Sequence, residues 1–142
     1  MTAVLQPALA APSNLHPGTD ILTVTTRSVP PGVVVAAVCG EVDQETAPLL
    51  KNRLLAHLRP TGPPLVVDLT EVSFLGAAGL TVLIEAREAA VAEKIRLCVV
   101  ARSRRVLRPL AITGLDRVFD VRADLAQALL CVGVRAEGRP TS

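Results

Sequence analysis

Apolar positions change period several times along the chain, and each change marks an element. Ile21 to Thr26 alternates weakly and is rich in β-branched residues, which predicts a strand. Pro30, Pro31 and Gly32 then make a turn before the apolar run that opens at Val33 and stops at Gly40. Two strands joined this closely pair antiparallel. Because Val33 to Val38 carries no polar residue, the second strand is expected to be covered on both faces.

After Gly40-Glu41-Val42-Asp43 the period becomes helical: Ala47, Leu50, Leu54 and Leu58 recur on one face, leaving Lys51 and Arg53 toward solvent. Pro48 fits near the helix start and Pro60 with Gly62 ends it, so a helix is predicted over 46–59. Leu65 to Leu69 reads as a short interior strand. A second helix is predicted over 77–92, with Leu80, Leu83, Ile84 and Val91 as its apolar stripe. Ile95 to Val100 supplies another strand, and Ser103 is placed to cap a helix that buries Val106, Leu107, Leu110 and Ala111. Gly114 ends that helix. Val118 to Val121 gives a last strand and Asp124 to Leu130 a last short helix.

This order predicts an α/β fold with a mixed, mostly parallel sheet, an antiparallel N-terminal edge strand and helices packed against it. A chain of 142 residues suffices for one such domain, expected over 21–132 between a flexible tail at 1–20 and another at 133–142. Half of the residues are hydrophobic, mainly Val, Leu and Ala, while Phe74 and Phe119 are the only aromatics. That excludes recognition of bases by aromatic stacking. The formal charge of +2, from 15 basic and 13 acidic residues, points to neither a nucleic acid nor an anionic membrane. The N-terminus lacks the basic and continuous apolar regions of a secretory signal, and no apolar stretch has spanning length. Cys39, Cys98 and Cys131 sit in apolar segments without C-x-x-C spacing and read as buried thiols of a reducing cytoplasm.

The catalytic inventory is thin. His16 falls in the expected tail and His57 near the exposed end of a helix. Ser73 has no G-x-S-x-G context, and Gly76 to Gly79 lacks the lysine and spacing of a phosphate-binding loop. Asp43, Asp68 and Glu71 are too few for a metal site, and turn and capping bonds account for them more simply. Arg102, Arg104, Arg105 and Arg108 form the one local basic concentration, suited either to a solvated helix or to an acidic protein surface or phosphate. No enzyme, cofactor or metal is expected.

Several phrases, in this order and separation, resemble the STAS domain family and particularly its small bacterial anti-sigma factor antagonists. They are Gly40-Glu41-Val42-Asp43 before the first long helix, Val67-Asp68-Leu69-Thr70-Glu71-Val72-Ser73-Phe74-Leu75, Gly79-Leu80 at the next helix, and Thr113-Gly114-Leu115-Asp116-Arg117-Val118-Phe119. The resemblance implies a non-catalytic regulator whose partner is an anti-sigma factor of the histidine-kinase-like ATPase type, which releases its sigma factor on binding. It leaves self-association open. It also implies a partner surface made by Glu41, Asp43, Leu75, Gly76, Ala77, Ala78, Gly79 and Leu80.

In that family the loop before the second long helix reads like D-S-S-G-L, and the serine before the glycine accepts phosphate from the kinase. Here the stretch is Gly76-Ala77-Ala78-Gly79-Leu80, so Ala78 stands at the acceptor position and carries no hydroxyl. The expectation is an antagonist without that switch. The alternatives are a scaffold of the same family, or a module that binds a small ligand such as a nucleotide, lipid or other anion, aided by the amides of Gly76 to Gly79.

Overall fold

The computed structural model describes residues 22–30 and 32–134. The expected N-terminal tail at 1–20, nearly all of the expected C-terminal tail, and His16, Ile21 and Pro31 lie outside the described residues. Five strands form one sheet in the order of the sequence: β1 (Thr23–Val29), β2 (Val33–Val42), β3 (Leu65–Leu75), β4 (Leu97–Val100) and β5 (Asp120–Arg122). The first pair is antiparallel and every later pair is parallel, as the closely joined first two strands and the helical crossovers require. The helices are α1 (Ala47–Leu55), α2 (Ala77–Ala92), α3 (Arg104–Ile112) and α4 (Leu125–Leu129).

Both faces of the sheet are covered. On one, Val34, Ala36, Val67, Leu69 and Val99 pack with Leu50 and Leu54 of α1, Leu83 and Ala86 of α2, and Val106 and Leu110 of α3. On the other, Val33, Val35, Val66, Cys98 and Val100 meet Ala128 of α4 and Val132 beyond it. The unbroken apolar run of β2 is thus explained by neighbours on each side. Complete burial of a leucine such as Leu50, Leu54 or Leu83 contributes about 1.5–3 kcal/mol, against about 0–1 kcal/mol for the exposed Lys51–Glu85 ion pair that links α1 to α2. Aliphatic packing therefore sets how these helices sit.

Some expectations need correcting. The third strand is not short: it continues through Thr70 to Leu75 along Cys39 to Val42, with register shifts between Ala37 and Cys39 and between Gly40 and Glu41. Each shift lets β3 gain a residue over β2, so its inward side chains fall at Leu69, Val72 and Leu75 rather than at alternate positions. Gly40, at φ 118°, supplies the backbone conformation that this bulged region needs. Helix α1 stops at Leu55, short of 59. Arg53 is exposed as expected, and its Nη1 also donates to the Val24 carbonyl at 2.9 Å, tying α1 to the edge strand.

The buried stripe of α2 is Gly79, Val82, Leu83, Ala86 and Ala90, whereas Ile84 and Val91 are exposed and Leu80 only half-buried. This helix is apolar nearly all round, so periodicity alone misplaces its inner face by about one position. In α3 the buried residues are Val106 and Leu110, with Ala111 exposed and Leu107 half-buried. Ser103 occupies the cap position but its hydroxyl accepts no amide; its carbonyl takes the Val106 and Leu107 amides instead, and its buried Oγ has no partner among the described residues. The last strand begins at Asp120 because Leu115–Arg117 forms a 3-10 turn first. Cys39 is exposed, contrary to the expectation for all three cysteines, while Cys98 and Cys131 are buried.

Candidate functional site

The carboxyl ends of β2 and β3 lie side by side, and the chain leaves each of them into a helix. The Gly76 amide donates to the Val42 carbonyl at 2.9 Å, fastening the start of α2 to the end of β2. The segment Gly40 to Asp43 and the loop-to-helix junction Gly76 to Leu80 therefore form one edge, the arrangement expected where parallel strands end together.

Asp43 organises the first half of this edge. Its Oδ1 accepts the Glu45 and Thr46 amides, each at 2.9 Å, and the Thr46 hydroxyl at 3.2 Å. The same hydroxyl accepts the Asp43 amide and reaches the Glu41 carbonyl at 2.8 Å. These bonds turn the chain into α1 and hold the Asp43 carboxyl below its usual range, the Thr46 amide being the chief cause. Asp43 is thus a turn-forming group as well as a half-buried negative charge at the rim.

The second half is small and uncharged. Helix α2 opens without a side-chain cap; Gly76 is in extended conformation at its N-cap. Ala77 is exposed, Ala78 half-buried against the main core, Gly79 buried and Leu80 half-buried. Leu75, only 4% exposed, forms the floor rather than the rim.

Two depressions meet at Ala77. One, of roughly 570 Å³, is lined by Asp43, Gln44, Phe74, Gly76, Ala77 and Ala78. The other, of roughly 440 Å³, lies between α2 and α3, with Leu75, Ala77 and Leu80 on one side and Arg104, Arg105, Arg108 and Ile112 among its other walls. The structure thus brings together Asp43, Leu75, Gly76, Ala77, Ala78, Gly79 and Leu80, with partly buried Glu41 at the end of β2.

Sequence reasoning missed Phe74, which is 49% exposed and sits so close to Gly76 that a Cβ there would lie 3.0 Å from its ring. The arginines were visible as a cluster, but nothing local in the sequence placed them beside Ala77. Their position follows from β4 pairing next to β3, which brings α3 alongside the start of α2.

The nearby hydroxyls are engaged locally. Thr70 Oγ1 donates to Asp68 Oδ1 at 2.8 Å, and Ser73 Oγ to the Gly40 carbonyl at 3.3 Å. Among the described residues, no three His, Cys, Asp or Glu side chains are grouped to hold a metal ion, and no helix is long and apolar enough to cross a membrane.

Comparison with known proteins agrees with this architecture. Residues 25–128 match the STAS domain. The chain is 35% identical over 116 residues to the anti-sigma-F factor antagonist RsfB of Mycobacterium tuberculosis, covering 82% of this chain and 92% of the relative. It is 34% identical over 85 residues to an anti-sigma-B factor antagonist of Listeria monocytogenes, covering 60% of this chain and 75% of that protein. A crystal structure of an anti-sigma factor antagonist from Mycobacterium paratuberculosis superposes with a TM-score of 0.73 at 37% identity, covering 79% of this chain and 94% of that one. Sequence, strand order and three-dimensional form agree: the chain belongs to the STAS domain family.

Proposed function

We propose that this protein is a non-catalytic regulator that binds an anti-sigma factor of the histidine-kinase-like ATPase type and so frees a sigma factor. Its similarity to antagonists from Mycobacterium and Listeria supports a role in sigma-factor control. The binding surface is the edge from Glu41 and Asp43 across Leu75 to Leu80. The observation that carries this reading is the state of Ala77 and Ala78: both reach the surface at the start of α2, between two depressions, with neither charge nor hydroxyl.

Such a patch lets a second polypeptide pack closely against methyl groups while its acceptor groups meet the amides of the uncapped first turn of α2. In this reading Ala78 stands where relatives with the switch carry their phosphate acceptor. A phosphate there would add about two negative charges and disfavour the contact. Lacking an acceptor oxygen, this chain stays in its binding-competent form.

The test is a purified competition: a preformed complex of a native-cell anti-sigma ATPase with its sigma factor, titrated with the full chain. Stoichiometric release of sigma with formation of a new anti-sigma complex is expected. Sigma remaining bound against every such ATPase of the cell, at saturating amounts of the chain, would contradict the role.

A further inference from the structure

The groove between α2 and α3 combines an apolar lining with unpaired positive charge. Its floor and walls are apolar, made by Leu75, Leu80 and Ile112, the last of which is 72% exposed. Its far wall carries Arg104, Arg105 and Arg108, all exposed, and none of these makes an ion pair or hydrogen bond among the described residues. Helix α3 has no acidic residue in its first turn to neutralise them.

We infer that this groove seats an acidic amphipathic segment of the anti-sigma partner, whose apolar face covers Leu80 and Ile112 while its carboxylates meet the α3 arginines. The inference rests on the antagonist reading above and adds the chemistry of the partner's contacting segment. A helix or extended stretch laid in a groove buries its apolar side, and acidic groups on its flank find guanidinium donors whose planar forks suit carboxylates. Because Ala77 lines both depressions, the partner's face is divided in charge: acidic toward α3, and neutral or basic toward Asp43 on the other side. An isolated sulfate-sized anion would use the arginines but leave Ile112 bare. A purely apolar segment would leave three cations beside a dry contact.

The test uses the full chain and each purified histidine-kinase-like anti-sigma ATPase of the native cell. Affinities are measured at low and high salt for wild type, the double variant Arg104→Glu/Arg108→Glu, Ile112→Ser, Ala78→Asp, and Arg102→Glu. The last is an exposed neighbour that does not line the groove and controls for net charge. Because Arg102, Arg104, Arg108 and Ile112 are exposed, circular dichroism and urea midpoints of their variants are expected to stay near wild type, and the same readouts check that the variant at half-buried Ala78 is folded.

The double variant should bind about tenfold or more weakly and lose most of its salt dependence, Ile112→Ser several-fold more weakly, and Arg102→Glu within about twofold of wild type. Cross-linking of the wild-type complex should place a partner segment bearing Asp or Glu beside α3. If the double variant binds as wild type does while Ala78→Asp does not bind, the groove is unused and the antagonist reading stands without it. If wild type binds none of these ATPases, both fall. If the arginine changes abolish self-association of the chain and spare the anti-sigma complex, the groove belongs to a second copy and the inference is overturned.

Discussion

A Cβ added at Gly79 would lie 2.6 Å from Cγ1 of Val42, and equally close to Cδ1 of Leu75. Val42 is fully buried at the end of β2, so the glycine is the point where α2 settles onto the edge that presents the candidate surface. Gly79→Ala brings about 1 kcal/mol of helix propensity, but overpacking a filled core costs about 1–3 kcal/mol, and branched Val42 has little rotamer freedom to move aside. Net destabilisation is expected, read as a lower urea midpoint with unchanged slope. A midpoint at or above wild type would show that this junction is loosely packed.

Asp43 carries a pH signature. Its carboxyl is held below the ordinary value of 3.8, chiefly by the Thr46 amide. A group whose folded pKa is lowered contributes stability that is present above the unfolded pKa and lost as pH falls through the folded one. Stability of wild type relative to Asp43→Asn should therefore shrink as pH drops from about 5 through 3.8 and below. Parallel urea midpoints for the two proteins across that window would show that the turn into α1 does not depend on the charge.

The cysteines separate by environment. Burial pushes the Cys98 thiol up to about 12, with the Asp120 and Cys131 charges adding to the effect. Cys39 is exposed on β2. At pH 8 a water-soluble disulfide reagent should modify Cys39 in the folded protein and leave Cys98 untouched until the chain unfolds. Cys39→Ser should remove the fast phase. Since a raised folded pKa favours the folded state below the unfolded value of 9.0 and loses that effect as pH rises toward 12, Cys98→Ala should also flatten the fall in stability above pH 9. Rapid modification of Cys98 in native conditions would contradict the burial.

Incubation with an anti-sigma ATPase and ATP should leave the loop unmodified. Ala77 and Ala78 have no acceptor oxygen, and nearby hydroxyls are bonded to partners of their own, Thr81 to the Ala77 carbonyl, Thr70 to Asp68 and Ser73 to Gly40. Intact mass should not change. Phosphate mapped by mass spectrometry to Ser73 or Thr70 would reveal a displaced switch.

How far the sequence revealed this molecule depended on how locally each feature is determined. The first hairpin, the mostly parallel direction of the later strands and the start of α2 at Ala77 were legible because turn residues, helix breakers and long apolar runs act within a few positions. The second half of β3 was not, since two register shifts replace alternation by the three-residue spacing of Leu69, Val72 and Leu75. The inner face of α2 was shifted because apolar residues surround that helix. Ser103 has the right residue type at the right place, yet its hydroxyl bonds none of the free amides. At the candidate site, the phrase Gly76 to Leu80 was readable as a junction. The nearness of Arg104 and Arg108 to Ala77 depends on strands 65–75 and 97–100 being neighbours, a long-range fact that no local pattern carries.

Titration calorimetry of the purified chain and its Ala78→Asp variant against the anti-sigma ATPase that wild type releases from sigma tests the central claim most directly. Ala78 is half-buried beside Gly79, so a carboxylate there would lose its water in the contact with the partner. A stoichiometric wild-type complex and a variant weaker by about tenfold or more, about 1.4 kcal/mol, is the expected result. Equal affinity for the two proteins, with the variant shown to be folded, would place the binding surface elsewhere.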